Sequence, residues 1–173
     1  MKRRVPALKQ DIRVATVLRA PPADAYRALT SARELCVWLA ERAETDARSM
    51  GRMRLVWPRA SWAADPEISG VFVDLEPGRK AAWLWDDRSR PEGVPALVSV
   101  FLEASASGRR TTVSLVHAGF SGAASGAALL GRYRARWEDF LAKLRLYLDA
   151  GKTCKGDLLS FSDLELLLRR GRR

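Results

Sequence analysis

The chain has 173 residues, 47% hydrophobic and 29% charged, a globular balance and enough length for one domain to bury a core without staples. No apolar run approaches the ~20 residues of a bilayer span, and Met1-Lys2-Arg3-Arg4-Val5-Pro6 lacks the apolar stretch of a secretory signal, so a cytoplasmic protein is expected. The net charge of +10 gathers at the ends, +4 in residues 1–13 and +3 in residues 152–173, which suits solvated tails better than a nucleic-acid footprint.

Residues 12–19 alternate, with Ile12, Val14, Thr16 and Leu18 opposite Arg13 and Arg19, and predict a half-buried strand. Pro21-Pro22 ends it and opens a short helix over 23–29. Thr30 or Ser31 can cap a second short helix carrying Leu35, Trp38 and Leu39. Residues 40–49 are polar and read as a loop. From Gly51 to His117 the period is two: Met53, Leu55 and Trp57; then Val71, Val73 and Leu75; then Trp83 and Trp85; then Val98, Val100 and Leu102; then Val113, Leu115 and His117. Gly-, Pro-, Asp- and Ser-rich turns separate these runs, as in an antiparallel meander. The period then becomes helical, with Leu130, Tyr133, Trp137, Phe140, Leu141, Leu144 and Leu148 on one stripe and Arg132, Arg136, Asp139 and Lys143 between them. Gly151 ends this long helix. In the remainder, Ser162-Asp163-Leu164-Glu165 reads as a capping box for a short amphipathic helix over 162–170.

The expected architecture is α+β: a curved antiparallel sheet of about six strands, two short helices, and one long C-terminal helix covering the apolar face of the sheet. Residues 1–11 read as a basic tail, 12–151 as the domain, and 152–173 as a C-terminal extension.

Four phrases in this order resemble one group. They are Ala20-Pro21-Pro22-Ala23-Asp24-Ala25-Tyr26-Arg27-Ala28-Leu29-Thr30 with Glu34-Leu35 and Trp38; Glu76-Pro77-Gly78-Arg79-Lys80-Ala81-Ala82-Trp83-Leu84-Trp85; residues 111–120 ending in His117-Ala118-Gly119-Phe120; and Trp137, Leu141, Leu144, Tyr147-Leu148. Together they resemble the START-like (SRPBCC, Bet v-like) helix-grip superfamily, specifically the bacterial heat-shock-protein-90 ATPase activator-like (AHSA-type) family, over about residues 12–150. Leu39 departs from it, standing where members often carry a second tryptophan. Residues 57–67 lack the usual Asp-Gly turn, and residues 152–173 lie outside the pattern.

The resemblance implies a cavity between sheet and long helix. Inward parity puts Trp57, Trp83, Trp85 and His117 on the sheet side, and Tyr133 and Trp137 on the helix side; with Trp38 and Phe120 these are the candidate ligand-binding residues, the competing reading being plain core filling. His117, the one histidine, is the one weak catalytic candidate, as a general base or a ligand anchor, against a structural role at the bend. Cys36 and Cys154 lack metal spacing, so no metal is expected, and no nucleophile or phosphate-loop motif appears. No cofactor is expected, and a binding protein is favoured over an enzyme. Three functions follow: binding of a hydrophobic or aromatic small molecule; a co-chaperone-like or regulator-binding module, with a protein partner or homodimer through 152–173; and a cyclase- or hydrolase-like enzyme using His117.

Overall fold

The computed structural model describes residues 9–58, 66–122 and 124–170. Residues 1–8, residues 59–65, which fall in a stretch the sequence reads as a turn, Ala123 and the last three residues lie outside these. The chain order is β1 (Lys9–Leu18), α1 (Pro22–Thr30), α2 (Ala32–Trp38), β2 (Arg42–Thr45), β3 (Arg52–Val56), β4 (Glu67–Glu76), β5 (Lys80–Trp85), β6 (Leu97–Ala104), β7 (Thr111–Ser121), α3 (Ala124–Ala150) and α4 (Phe161–Arg170). The strands form one antiparallel sheet in the order β1-β7-β6-β5-β4-β3-β2. One apolar face meets α1, α2 and α3 in a continuous core that includes Ile12, Trp38, Phe72, Val98, Leu115 and Leu144.

The α+β architecture is the one expected, with seven strands rather than about six. The additional strand is β2, inside the stretch read as a loop. Arg42-Ala43-Glu44-Thr45 has no apolar residue larger than alanine, yet pairs in register with residues 53–56 of β3. As an edge strand it needs backbone partners on one side alone, and its charged side chains suit an exposed edge. β1 also starts at Lys9, earlier than the alternation suggested.

The phase of β4 is corrected as well. Phe72 and Gly70, not Val71 and Val73, are buried in its first half. Between Phe72 and Asp74 the register against β5 shifts, so one extra residue, Val73, bulges out. The bulge restores inward parity to Leu75, opposite the buried Ala81. Gly70 is required by contact: a Cβ there would lie 2.1 Å from the Leu84 carbonyl oxygen.

Beyond Gly151 the chain returns along α3. α4 starts one residue before the expected 162 and is capped by Ser160, not Ser162. The Ser160 hydroxyl accepts the Asp163 N–H at 3.1 Å and donates to the Asp163 carboxylate at 2.6 Å, so the N-cap falls two residues earlier. Leu159 and Leu164 are buried against Ala142 and Leu146 of α3. Under this cover lie Asp139 and Lys143, expected on the solvated side of α3 and in fact 2% and 1% exposed.

Candidate functional site

The inward residues of β5 and β7 and the sheet-facing stripe of α3 converge on one set of rings. Trp85 lies 5.4 Å from His117, 5.9 Å from Tyr133 and 6.0 Å from Trp137, centroid to centroid. His117 in turn lies 4.7 Å from Phe120 and 5.6 Å from Trp137. Trp83 joins through Trp137 at 6.4 Å, and Phe140 links Trp137 to Trp38. Most pairs are edge-on or tilted, the favourable aromatic geometries.

A second bulge explains how His117 and Phe120, an odd number of residues apart, face the same side. Gln10 pairs with Phe120 and Ile12 with His117, so β7 spends two residues where β1 spends one. Gly119 takes this place with φ of +98°, in the left-handed region that favours glycine. Its N–H donates to the Asp11 carboxylate at 3.0 Å.

The tautomer of His117 follows from its partners. The indole N–H of Trp137 can only donate, and it lies 2.9 Å from His117 Nδ1. Nδ1 is therefore the lone-pair nitrogen, and Nε2 carries the hydrogen, donated to the Pro95 carbonyl at 2.7 Å. Burial lowers the His117 pKa to about 4, the Pro95 bond opposes that shift, and the nearby Arg90 charge adds to it. The ring is thus neutral at pH 7, with both nitrogens engaged and no lone pair free to take a proton.

The tryptophans divide into two groups. Trp38 donates its indole N–H to the Ala28 carbonyl at 3.0 Å, and Trp57 to the Leu39 carbonyl at 2.8 Å. These two tie α1, α2 and the following chain to the core. Trp83 and Trp85, each 5% exposed, have buried indole N–H groups with no hydrogen-bond partner. A third buried donor without a partner is Nε of Arg90, in the loop after β5. The Arg90 guanidinium otherwise donates to the Val94 carbonyl and pairs with Asp87. Val94 is 1% exposed, and a Cβ at Gly93 would touch Leu129 of α3, so this loop closes over the ring cluster beside the start of the helix.

Period-two reading placed Trp83, Trp85 and His117 correctly on the inner face; Arg90 was missed, because an arginine in a polar turn carries no pattern. An open groove of about 730 Å³ lies over the opposite, outward face, where Arg54 is already paired with Glu67 and Glu44. Among the described residues no cluster of three or more metal-ligating side chains occurs, and no helix is long and apolar enough to cross a membrane.

The class defined by this geometry is a helix-grip domain, a curved antiparallel sheet holding a long C-terminal helix. Residues 19–149 match the family model "Activator of Hsp90 ATPase homolog 1-like protein", and the chain belongs to that family. No curated protein matches it. Among solved structures, the Aha1 dimer from Colwellia psychrerythraea is 19% identical, with a TM-score of 0.68 over 83% of this chain and 98% of that one. CalU16 from Micromonospora echinospora is 22% identical, with a TM-score of 0.61 over 83% and 78%. PFC0360w, an HSP90 activator from Plasmodium falciparum, is 20% identical, with a TM-score of 0.54 over 73% and 86%. At these identities the likeness shows the fold.

Proposed function

We propose that the domain binds a hydrophobic or aromatic small molecule between the sheet and α3, against Trp83, Trp85, Phe120, Tyr133 and Trp137. The observation that carries this reading is the pair of buried, unpartnered indole N–H groups on β5. Leaving such a donor unmade costs about 1–3 kcal/mol, and each is the kind of group that a bound molecule satisfies. Trp85, His117 and Trp137 touch one another, so a ligand enters by displacing ring contacts, each worth about 0.5–1.5 kcal/mol beyond burial, and replacing them with its own. Trp38 and Trp57, with their N–H groups satisfied, act as supports for the wall. His117 belongs to the wall too; to take a proton it would first have to give up the Trp137 hydrogen bond at Nδ1, so catalysis is not part of this reading. Titrating tryptophan emission with lipids, aromatic compounds and polyketides tests the proposal. A saturable change with at least one class is expected; flat titrations with all of them would overturn it.

A second reading is a protein-interaction module. It rests on the family's Hsp90-activator members and on Leu158, just before α4, and Leu166, on α4, each 58% exposed. Removing residues 152–173 would then abolish association with a bacterial Hsp90 or with a second copy, measured by sedimentation. Equal association without them would remove this reading. Either role is expected in the cytoplasm.

A further inference from the structure

The unmet groups around the rings share one chemistry. Trp83 Nε1, Trp85 Nε1 and Arg90 Nε are all donors, and the buried side chains without a partner among the described residues include no acceptor. The three belong to one neighbourhood. Trp85 packs edge-on against His117, Trp83 reaches Trp137, and Trp137 donates to His117. Arg90 donates to the carbonyl of Val94, and the carbonyl of the next residue, Pro95, accepts from His117.

The cation at this neighbourhood, Arg90, is paired with a carboxylate on its solvent side. Asp87, the acidic partner of Arg90, is 84% exposed. His117 is neutral, and the buried Asp139 sits on the other side of α3 with Lys143. Among the described residues no carboxylate is buried with the rings. A guanidinium with a free N–H in the loop after β5, together with two free indole N–H groups on β5 in a wall of aromatic rings, matches a ligand with a planar apolar body and a negatively charged oxygen group. A neutral hydrocarbon would fill the space and leave all three donors unmade.

Resting on the ligand-binding reading above, we propose that the molecule held under α3 is an aromatic oxyanion (a carboxylate, phenolate or sulfonate), with its charged oxygens directed to Arg90 and the indole N–H groups of Trp83 and Trp85. Arg90 is then the residue that sets specificity for charge, and the loop carrying it is the polar end of the site.

The test uses two dyes with one skeleton, 8-anilinonaphthalene-1-sulfonate and the neutral N-phenyl-1-naphthylamine, titrated into the full chain. The sulfonate dye is expected to bind about tenfold more tightly, the worth of one charge-assisted hydrogen bond. In Arg90→Gln the ratio of the two affinities should fall towards one. In the unaltered protein, the sulfonate dye alone should shift the indole N–H proton resonances of Trp83 and Trp85 downfield, a readout independent of whether the variant folds. Equal affinities with unmoved indole resonances would overturn the proposal while leaving ligand binding intact, the donors then being met by water. Absence of binding by both dyes, together with flat titrations of the wider panel, would overturn the ligand-binding reading itself.

Discussion

α3 is buried on two sides, and the two are finished differently. On the side facing α4, the polar groups are fully used: Asp139 receives Lys143 through both carboxylate oxygens, at 2.9 and 3.0 Å, and also the Leu159 N–H at 2.7 Å. Glu138 accepts the Phe161 N–H, Arg145 pairs with Glu165, and Lys155 donates to the Cys36 and Ala40 carbonyls at the end of α2. On the side facing the sheet, rings are abundant but two indole donors have nothing to bond. A seam that closes every valence holds the chain to itself; a wall that leaves donors open is suited to something from outside. The seam is structural, and the wall is where function is to be sought.

The seam should give the largest effect. Burial pushes Asp139 up and Lys143 down, each towards its neutral form, and their pairing is the main opposing influence, helped by the Leu159 N–H at Asp139 and by Cys154 and Asp157 near Lys143. Asp139→Ala leaves a buried ammonium and the Leu159 N–H unmet, and should cost about 3–5 kcal/mol in urea unfolding. Asp139→Leu combined with Lys143→Met should recover much of that loss, short of the unmet Leu159 N–H, about 1–3 kcal/mol. A double variant as unstable as the single would break the contrast.

Acid should act next, through the wall. His117 in the folded protein takes a proton only near pH 4, whereas the unfolded chain takes one near 6.5. Its contribution is therefore complete above pH 6.5 and lost as the pH falls towards 4, about 3 kcal/mol in all. Unfolding free energy measured from pH 7 to pH 4 should fall more steeply for the native protein than for His117→Asn.

The smallest effects separate the satisfied and unsatisfied tryptophans. Trp137→Phe strips His117 Nδ1 of its donor and should destabilise by about 1–3 kcal/mol. Trp85→Phe relieves a donor that was unmade, about 1–3 kcal/mol, which offsets the buried ring volume it loses, so the expected net change is under about 1 kcal/mol. Thermal unfolding of the two side by side decides this, and equal losses would mean that the Trp85 N–H is met after all.

Most of the fold was legible because burial on one face writes a period into the chain, two in β5, β6 and β7 and 3.6 in α3. It failed where burial does not write one. β2 is held by backbone pairing at an edge, which leaves no apolar trace in Arg42-Ala43-Glu44-Thr45. The bulge at Val73 shifts phase by one residue, so counting along β4 selected the wrong valines. Asp139 and Lys143 are buried by residues twenty positions later, invisible in the helix's own pattern. At the site, parity could place Trp83 and Trp85 on the inner face, but not say that Trp38 and Trp57 find carbonyls while these two find none. Hydrogen-bond satisfaction is decided by tertiary neighbours.

The sheet order has a consequence for how the chain is made. β1, the first of these seven strands in chain order, stands at one end of the sheet and pairs with β7, the last, with Lys9 opposite Ser121. On the ribosome β1 has no strand to join until the rest of the sheet has emerged, and the ring wall cannot close until α3 follows. Such distant pairing slows folding, because a long loop must be ordered before the contacts reward it. The nascent chain thus carries Trp83 and Trp85 uncovered while the helix that will cover them is still being translated.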